Sequence, residues 1–241
     1  MQRAICIFLF LLLLSPLCHA ETPASNNTEN INSGQLTILP FTPGLKDKII
    51  VIDPGYGGTD TGIIGPDGIK EKTIILAVAL KVKVLLEQAG AKVIMTRIDD
   101  RDVFSPNASA VAEVGARVAV ANINKADVFI NISGNFFVNP NINGTATYYY
   151  QKSVYDRLLA QSIQDGVVNT AGMNNRGIYP GSFYVLKRTS MPAALVLLGF
   201  LSNLEEARLL NTPQMQQKLA QGIFNGLDNF FIQAATVGNE S

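Results

Sequence analysis

Four carboxylates close to one short apolar run are the residues of this sequence best placed to do chemistry. Asp53 directly follows the apolar run 49–52, and Asp60, Asp67 and Glu71 come next in a glycine-rich segment. Carboxylate oxygens bind Ca²⁺ and Mg²⁺, so the last three predict a candidate oxygen-only metal site. Aspartates beside glycine also form turns by bonding to their own backbone. Both interpretations of these three carboxylates are open at this stage.

Nitrogen and sulfur ligands occur only near the N-terminus. Cys6 and Cys18 are the only cysteines, and His19 is the only histidine. Residues 1–20 are typical of a secretory signal peptide, because Arg3 precedes an apolar core and a break before the end of the segment. Cleavage after residue 20 would remove all three side chains. The mature chain would then have no disulfide and no zinc site built on His or Cys.

The apolar core of the predicted signal peptide covers eleven residues, 4–14. A membrane-spanning helix needs about 20 apolar residues, so we expect no membrane span after cleavage. Only one of the 19 basic residues and none of the 19 acidic residues would be lost, which leaves a formal charge of −1. That charge does not indicate nucleic acid or an anionic membrane as a partner.

The carboxylates need a scaffold, and the apolar run 49–52 is predicted to be its first strand. It leads into the loop sequence DPGYGG, where proline and glycine end regular structure. In an open α/β sheet, ligands bind in the crevice outside the carboxyl ends of the strands. This loop is therefore the predicted location of the functional site.

Strand and helix patterns alternate after the loop, which predicts a single α/β domain. We expect a mostly parallel twisted sheet of about six strands with helices on both faces. The predicted strands are 49–52, 92–95, 128–132, 145–150, 182–186 and 194–198. The predicted helix ends are a left-handed cap at Gly90, a capping box of Ser153 with Asp156, and an N-cap at Thr212 before Pro213.

The chain divides into four predicted parts. They are the signal peptide 1–20, a flexible arm 21–44, the globular domain 45–232 and a polar tail 233–241. The last helix of the domain carries an apolar residue at every fourth position, which indicates a core-facing stripe that ends at Ile232.

The loop resembles the opening motif of the zinc-dependent N-acetylmuramoyl-L-alanine amidases, which cut peptidoglycan between sugar and peptide. That family's motif reads DPGHGG, and the resemblance continues to about residue 231. The matching segments, in the family's order, are EKTIILAVALKVKVLLEQAGAKVIMTR, RVAVANINKADVFINIS, GTATYYY, NRGIYPGSFYVLKRTSMPAALVLLGFLSN and QQKLAQGIFNGL. The segment 135–144 has no room for the inhibitory helix that some family members carry.

The resemblance implies three zinc ligands, His, Glu and His, and a second Glu that polarises the zinc-bound water. Carried over onto this sequence, the first His falls on Tyr56, the ligand Glu on Glu71, the second His on Ser133, and the catalytic Glu on Leu197. One carboxylate between two neutral hydroxyls does not supply the ligands of a catalytic zinc ion. Leucine cannot accept a proton, so we expect no catalytic residue, no metal ligands and no cofactor.

The vacated site is predicted to be held together by a hydrogen bond between Tyr56 and Glu71, because a buried carboxylate needs a donor. Ser133 is predicted to be a small filler at the end of its strand. Asp53 is predicted to cap nearby backbone N–H groups.

Candidate groove residues are Asp53, Asn135, Arg176 and Asn203, which lie on segments that match the family. For Asn203, with Glu206 three positions later, an ordinary N-cap is the competing interpretation.

We therefore expect an exported, catalytically inactive amidase-fold protein of the bacterial envelope, in the periplasm or outside the cell. Its expected partner is peptidoglycan or an envelope protein such as a wall hydrolase. One alternative is an active amidase with relocated chemistry, which would need zinc. Another is a structural role in assembly that makes no use of the groove.

Overall fold

The structure, a computed structural model, describes residues 44–239 of the chain. The strands are β1 (Ile49–Pro54), β2 (Lys92–Met95), β3 (Val128–Asn135), β4 (Thr145–Tyr149), β5 (Asn175–Pro180) and β6 (Ala193–Phe200). The helices are α1 (Glu71–Gln88), α2 (Ala110–Ile123), α3 (Val154–Ala171), α4 (Tyr184–Arg188), α5 (Leu204–Leu210) and α6 (Pro213–Asn239). The predicted signal peptide and arm, up to residue 43, lie outside the described residues and stay predictions.

The strands form one sheet in the order β2-β1-β3-β6-β4-β5. Four neighbouring pairs are parallel, and only β4 with β6 is antiparallel. The prediction of a mostly parallel sheet of six strands is therefore confirmed. β1 and β3 are adjacent and both end at the same edge, which brings the loop after β1 beside the end of β3.

Helices cover both faces of the sheet, as predicted. Even-numbered side chains of the central strands, such as Ile52 and Ile130, pack in one core with α1, α3 and α6. Odd-numbered side chains, such as Val51 and Phe129, pack in a second core with α2 and α4. None of the helices described between residues 44 and 239 is both long and apolar enough to cross a bilayer.

The predicted helix ends are confirmed. Gly90 has a φ of 89°, in the left-handed region that favours glycine. Ser153 and Asp156 form the capping box of α3, with Ser153 N donating to Asp156 Oδ2 at 2.7 Å. Met215 N donates to Thr212 Oγ1 at 3.3 Å at the start of α6.

The predicted strand 182–186 is wrong, because Tyr184–Arg188 is helix α4 and the strand in this region is β5, Asn175–Pro180. Aromatic and β-branched residues gave the segment 182–186 its strand pattern, whereas Gly177 and Pro180 are residues typical of turns. β5 lies at the edge of the sheet, where glycine and a terminal proline are tolerated.

The predicted end of the last helix at residue 232 is also wrong, since α6 continues to Asn239. Gln233, Ala234 and Ala235 are good helix formers, and Ala234 packs against the first core. The predicted apolar stripe itself is confirmed, with Leu219, Ile223 and Leu227 fully buried.

Candidate active site

Two buried arginines fix the loop that follows β1. Arg97, fully buried just after β2, donates from Nε to Pro54 O (3.0 Å) and from Nη2 to Gly55 O (2.8 Å) and Lys72 O (3.0 Å). Burial lowers the pKa of Arg97 to about 10, and the neighbouring positive charge of Arg117 acts in the same direction. These contacts tie the loop to the start of α1.

Asp53 holds the second arginine in place. Its fully buried carboxylate accepts hydrogen bonds from Thr96 Oγ1 (2.6 Å), Arg117 Nη1 (2.8 Å) and Asn131 Nδ2 (2.7 Å). The prediction that Asp53 caps local backbone N–H groups is therefore wrong. Its candidate role as a groove residue is not supported either, because its oxygens face into the protein.

Arg117 extends this network to the loop backbone. It donates to Pro54 O (2.8 Å) and Tyr56 O (2.6 Å) as well as to Asp53. The sequence contained a signal that was missed, since Arg117 occupies a core-facing position between Val114 and Ala121 on α2. A charged residue within an apolar stripe indicates a buried partner.

Glu71 joins the loop to the end of β3. Its side chain is fully buried, Oε2 accepts from Ile63 N at 2.9 Å, and Oε1 accepts from Gly134 N at 2.5 Å. Burial raises the pKa of Glu71 to about 7, and the hydrogen bonds from Ile63 and Gly134 limit the rise. Both carboxylate oxygens are thus occupied by backbone donors.

Tyr56 lies beside Glu71 without bonding to it. Tyr56 Cδ2 and Glu71 Oε2 lie 2.9 and 2.7 Å from the point where a Cβ on Gly62 would stand. No hydrogen bond joins the Tyr56 hydroxyl to Glu71, so the predicted pair is wrong: two backbone N–H groups already satisfy the carboxylate. Burial raises the pKa of the Tyr56 phenol, and the charge of Glu71 adds to the rise.

Ser133 and Leu197 are direct neighbours in the sheet, on β3 and β6. Ser133 Oγ donates to Asn131 Oδ1 at 3.0 Å, and a Cβ on Gly55 would stand 2.9 Å from that serine oxygen. Leu197 packs at the border of the second core. The structure therefore brings all four positions implied by the resemblance to one place, at the carboxyl edge of the sheet.

The other candidate groove residues brace loops at the same edge. Asn203 caps α5 by accepting from Glu206 N (2.9 Å), which confirms the N-cap interpretation, and it donates to Pro140 O (2.8 Å). Arg176 Nε donates to Asn143 O at 2.7 Å. The side chain of Asn135 accepts from Phe136 N at 2.8 Å.

Glu206 is a second buried carboxylate at this edge. The sequence indicated it only as the partner of the Asn203 N-cap. Glu206 accepts from Gly144 N (2.8 Å) and Phe200 N (2.6 Å), which ties the 135–144 loop to the end of β6. Burial raises the pKa of Glu206, and the nearby charge of Arg176 opposes the rise.

The site residues do not fit a metal ion. Glu71 supplies the single carboxylate of the four positions, and each of its oxygens already accepts a backbone N–H, while Ser133 is bonded to Asn131 and Tyr56 offers only a neutral phenol. Across residues 44–239 no group of three or more His, Cys, Asp or Glu side chains is placed to hold a metal.

The oxygen-only Ca²⁺ or Mg²⁺ site is not supported either. Asp67 pairs with Arg208 Nε at 2.7 Å, and Asp60 accepts from Gly62 N at 3.0 Å in a turn. The turn interpretation is confirmed for Asp60, whereas the carboxylate of Asp67 bonds to a distant arginine, and no three carboxylates of residues 44–239 are placed to hold one ion.

The burial of Glu71 predicts a specific dependence of stability on pH. Its pKa rises from 4.5 in the unfolded chain to about 7 in the folded one, so the folded state binds the proton more tightly. The contribution of this group to the free energy of unfolding is therefore complete below pH 4.5. It falls by roughly 3 kcal/mol as pH rises through 7. Glu71→Gln is expected to remove that dependence, measured as the free energy of unfolding in urea at pH 4.5 and pH 8.

The glutamine variant also turns one amide N–H towards a backbone donor, so it should cost about 1–3 kcal/mol at pH 4.5. Glu87→Gln, which removes an exposed ion pair with Lys83 on α1, is the control and should change either value by less than about 0.5 kcal/mol. An unchanged pH dependence in Glu71→Gln would show that another group causes it.

Comparison with known proteins agrees with this geometry. The family model for N-acetylmuramoyl-L-alanine amidase matches residues 50–229. An uncharacterized cell wall amidase of Bacillus anthracis is 36% identical over 196 residues, which cover 78% of this chain and 36% of that protein. The chain thus spans about a third of the length of that relative.

Two further relatives match over most of their own length. The germination-specific N-acetylmuramoyl-L-alanine amidase of Bacillus subtilis is 32% identical over 200 residues, which cover 80% of this chain and 84% of that protein. The CwlD amidase of Clostridioides difficile, solved in complex with the GerS lipoprotein, is 31% identical with a TM-score of 0.74, covering 78% of this chain and 100% of that one. From its fold, its site geometry and these matches, the chain belongs to the N-acetylmuramoyl-L-alanine amidase family.

Proposed function

We propose that this protein is a noncatalytic member of the amidase family that is exported to the bacterial envelope and binds peptidoglycan there. The observation that carries the proposal is the state of Glu71, the one ligand position that keeps its family residue. Its two oxygens are bound to Ile63 N and Gly134 N, so the carboxylate acts as a link between two loops.

The absence of a general base supports the loss of hydrolysis. Hydrolysis of an amide needs a group that takes a proton from the attacking water. Leu197 stands where the resemblance implies that base, and its neighbour in the sheet is the uncharged Ser133. The carboxylates of this edge, Asp53, Glu71 and Glu206, are buried and already accept hydrogen bonds.

Binding is supported by the rigidity of the loops around the site. Arg97 and Arg117 fix the loop after β1, while Glu206 and Asn203 fix the 135–144 loop. A surface that is ordered before binding loses little conformational entropy when the ligand arrives. The names of the relatives point to peptidoglycan as that ligand, since the amide they hydrolyse joins N-acetylmuramic acid to L-alanine.

An envelope protein is the second candidate partner. The observation that favours it is the solved complex of a relative, the CwlD amidase, with a lipoprotein. Such a partner would use the chain for docking and would not require glycan in the groove.

Co-sedimentation with purified sacculi tests the first proposal. Wild type is expected to pellet with sacculi and to release no peptide into the supernatant. Phe136→Glu replaces an exposed ring at the start of the 135–144 loop with a carboxylate and should weaken pelleting about tenfold. Ile123→Glu, an equally drastic change of an exposed residue at the end of α2, is the control and should bind like wild type.

The two measurements separate the alternatives. Release of peptide by the wild type would make the protein an active amidase. Equal pelleting of Phe136→Glu and Ile123→Glu would show that the binding surface does not lie at the carboxyl edge of the sheet. Failure of the wild type to pellet would favour the envelope protein as partner, which cross-linking in cells would then identify.

A further inference from the structure

The sheet face that packs against α2 and α4 is not fully covered, and a small part of it is open to solvent. Leu197 is the only residue of β6 that is not buried, and Tyr148 is the only such residue of β4. Leu197 is paired with Ala146, and Tyr148 with Leu195, so the two open residues are diagonal neighbours on one face. Solvent therefore reaches the sheet next to the position of the lost catalytic Glu.

Aromatic rings surround Tyr148 in this open part of the sheet. The Tyr179 ring lies 5.5 Å away at a tilt of 33°, and the Phe183 ring packs edge-on at 5.2 Å. Tyr179 is held in place because its hydroxyl donates to Arg176 O at 2.6 Å. We call Tyr148, Tyr179, Phe183 and Leu197 the aromatic window, and all four are partly exposed.

The window also offers a hydrogen-bonding group. The Tyr148 hydroxyl bonds to no other residue between 44 and 239, and it is not sealed from solvent. Burial raises the pKa of Tyr148, which keeps the phenol neutral and able to donate. Half-buried tyrosines suit ligands that need an apolar surface and a polar contact together.

The charge of the window restricts the class of ligand. Its four residues are uncharged, and the nearby cations Lys187 and Arg188 lie over the rings of Tyr150 and Tyr184 instead. A stem peptide carries carboxylates that call for charged partners. A sugar ring has an apolar face of C–H bonds and a rim of hydroxyl and amide groups, which matches aromatic rings with one free hydroxyl.

We propose that the aromatic window binds an N-acetylated sugar ring of the glycan strand, stacked on Tyr148, with the acetamido methyl group against Leu197. This inference rests on the proposed function and adds the part of peptidoglycan that is recognised. It also explains why an apolar residue suits position 197: leucine extends the aromatic surface, whereas a carboxylate there would have to be desolvated when the sugar binds.

Titration with N,N′,N″,N‴-tetraacetylchitotetraose tests the inference on the full mature chain. The protein has no tryptophan, so its intrinsic fluorescence reports on tyrosine directly. Wild type is expected to show a saturable change. Tyr148→Leu should raise the dissociation constant at least about tenfold, and Tyr148→Phe, which keeps the ring, should raise it about threefold or less. Tyr184→Leu, with an exposed ring outside the window, should match wild type.

Ring signals of isotope-labelled tyrosine in the wild type give a result that does not depend on any variant folding. Those of Tyr148 and Tyr179 should shift with the saccharide, and that of Tyr155 on α3 should not. Unshifted Tyr148 signals, or equal affinity of Tyr148→Leu and wild type, would overturn the inference. If wild type pellets with sacculi but ignores the saccharide, this inference fails and the proposed function stands; if it does not pellet, the proposed function fails.

Discussion

Replacing Arg117 by methionine is expected to lower the free energy of unfolding by about 3–5 kcal/mol. The guanidinium and the carboxylate of Asp53 lie 2.8 Å apart, with 6% and 0% of their side chains exposed. Without Arg117 a buried carboxylate would lose its counter-charge, Tyr56 O would lose its donor, and Pro54 O would keep only Arg97 Nε. Urea denaturation of wild type and variant measures the difference.

The matched control is Arg208→Met, which breaks another Arg–Asp contact. Arg208 Nε and Asp67 Oδ2 are 2.7 Å apart, but 60% and 42% of these side chains are exposed. Solvent screens such a pair, so the loss should be much smaller than that caused by Arg117→Met. The double variant Asp53→Asn/Arg117→Met should be less destabilised than the two single losses together, because it leaves no unpaired charge. Equal losses for Arg117→Met and Arg208→Met would contradict the assigned role of burial.

The same ion pair explains a limit of sequence reasoning. The alternation of elements and the strand 49–52 were predictable, because apolar period and turn residues are local signals. The partners of Asp53 are not local: Thr96 and Arg117 are 43 and 64 positions away. The sequence therefore predicted where the loop after β1 lies but not what fixes it.

The errors in the fold have a related origin. Residues 182–186 have strand-forming side chains and yet lead into α4, while β5 contains the glycine and proline of a turn. β5 occupies an edge of the sheet, a position that the pattern of one segment cannot reveal. The end of α6 was missed because the apolar stripe that predicted the helix stops at Ile232, before the helix itself ends.

For the site, the sequence predicted which positions meet but not how they bond. Tyr56, Ser133 and Leu197 come together because β1, β3 and β6 are adjacent and parallel, and Glu71 at the start of α1 joins them by accepting from Gly134 N. The prediction that the Tyr56 hydroxyl donates to Glu71 was wrong. The backbone N–H groups of Ile63 and Gly134 donate to the carboxylate instead. Nearly every residue has a backbone N–H, so residue types do not reveal which of them donates.

The second large effect concerns zinc. The variant Tyr56→His/Ser133→His is expected to purify with about one zinc ion per chain, whereas wild type should contain no stoichiometric zinc. The backbone at residue 56 has a φ of 54°, a conformation that histidine adopts more readily than most residues. The smaller ring also frees volume beside Glu71, the remaining ligand position. Metal analysis after dialysis measures the zinc content.

Adding Leu197→Glu to that pair of substitutions separates metal binding from catalysis. The double variant should bind zinc without releasing peptide from sacculi, and the triple variant should gain chelator-sensitive release, because only then is a proton acceptor present at position 197. The triple variant with Glu71→Gln in addition is the control and should lose zinc, since one carboxylate ligand is gone. Equimolar zinc and peptide release in the wild type would overturn the noncatalytic assignment. A folded double variant without zinc would show instead that the bonds of Glu71 to Ile63 N and Gly134 N hold the carboxylate away from the metal.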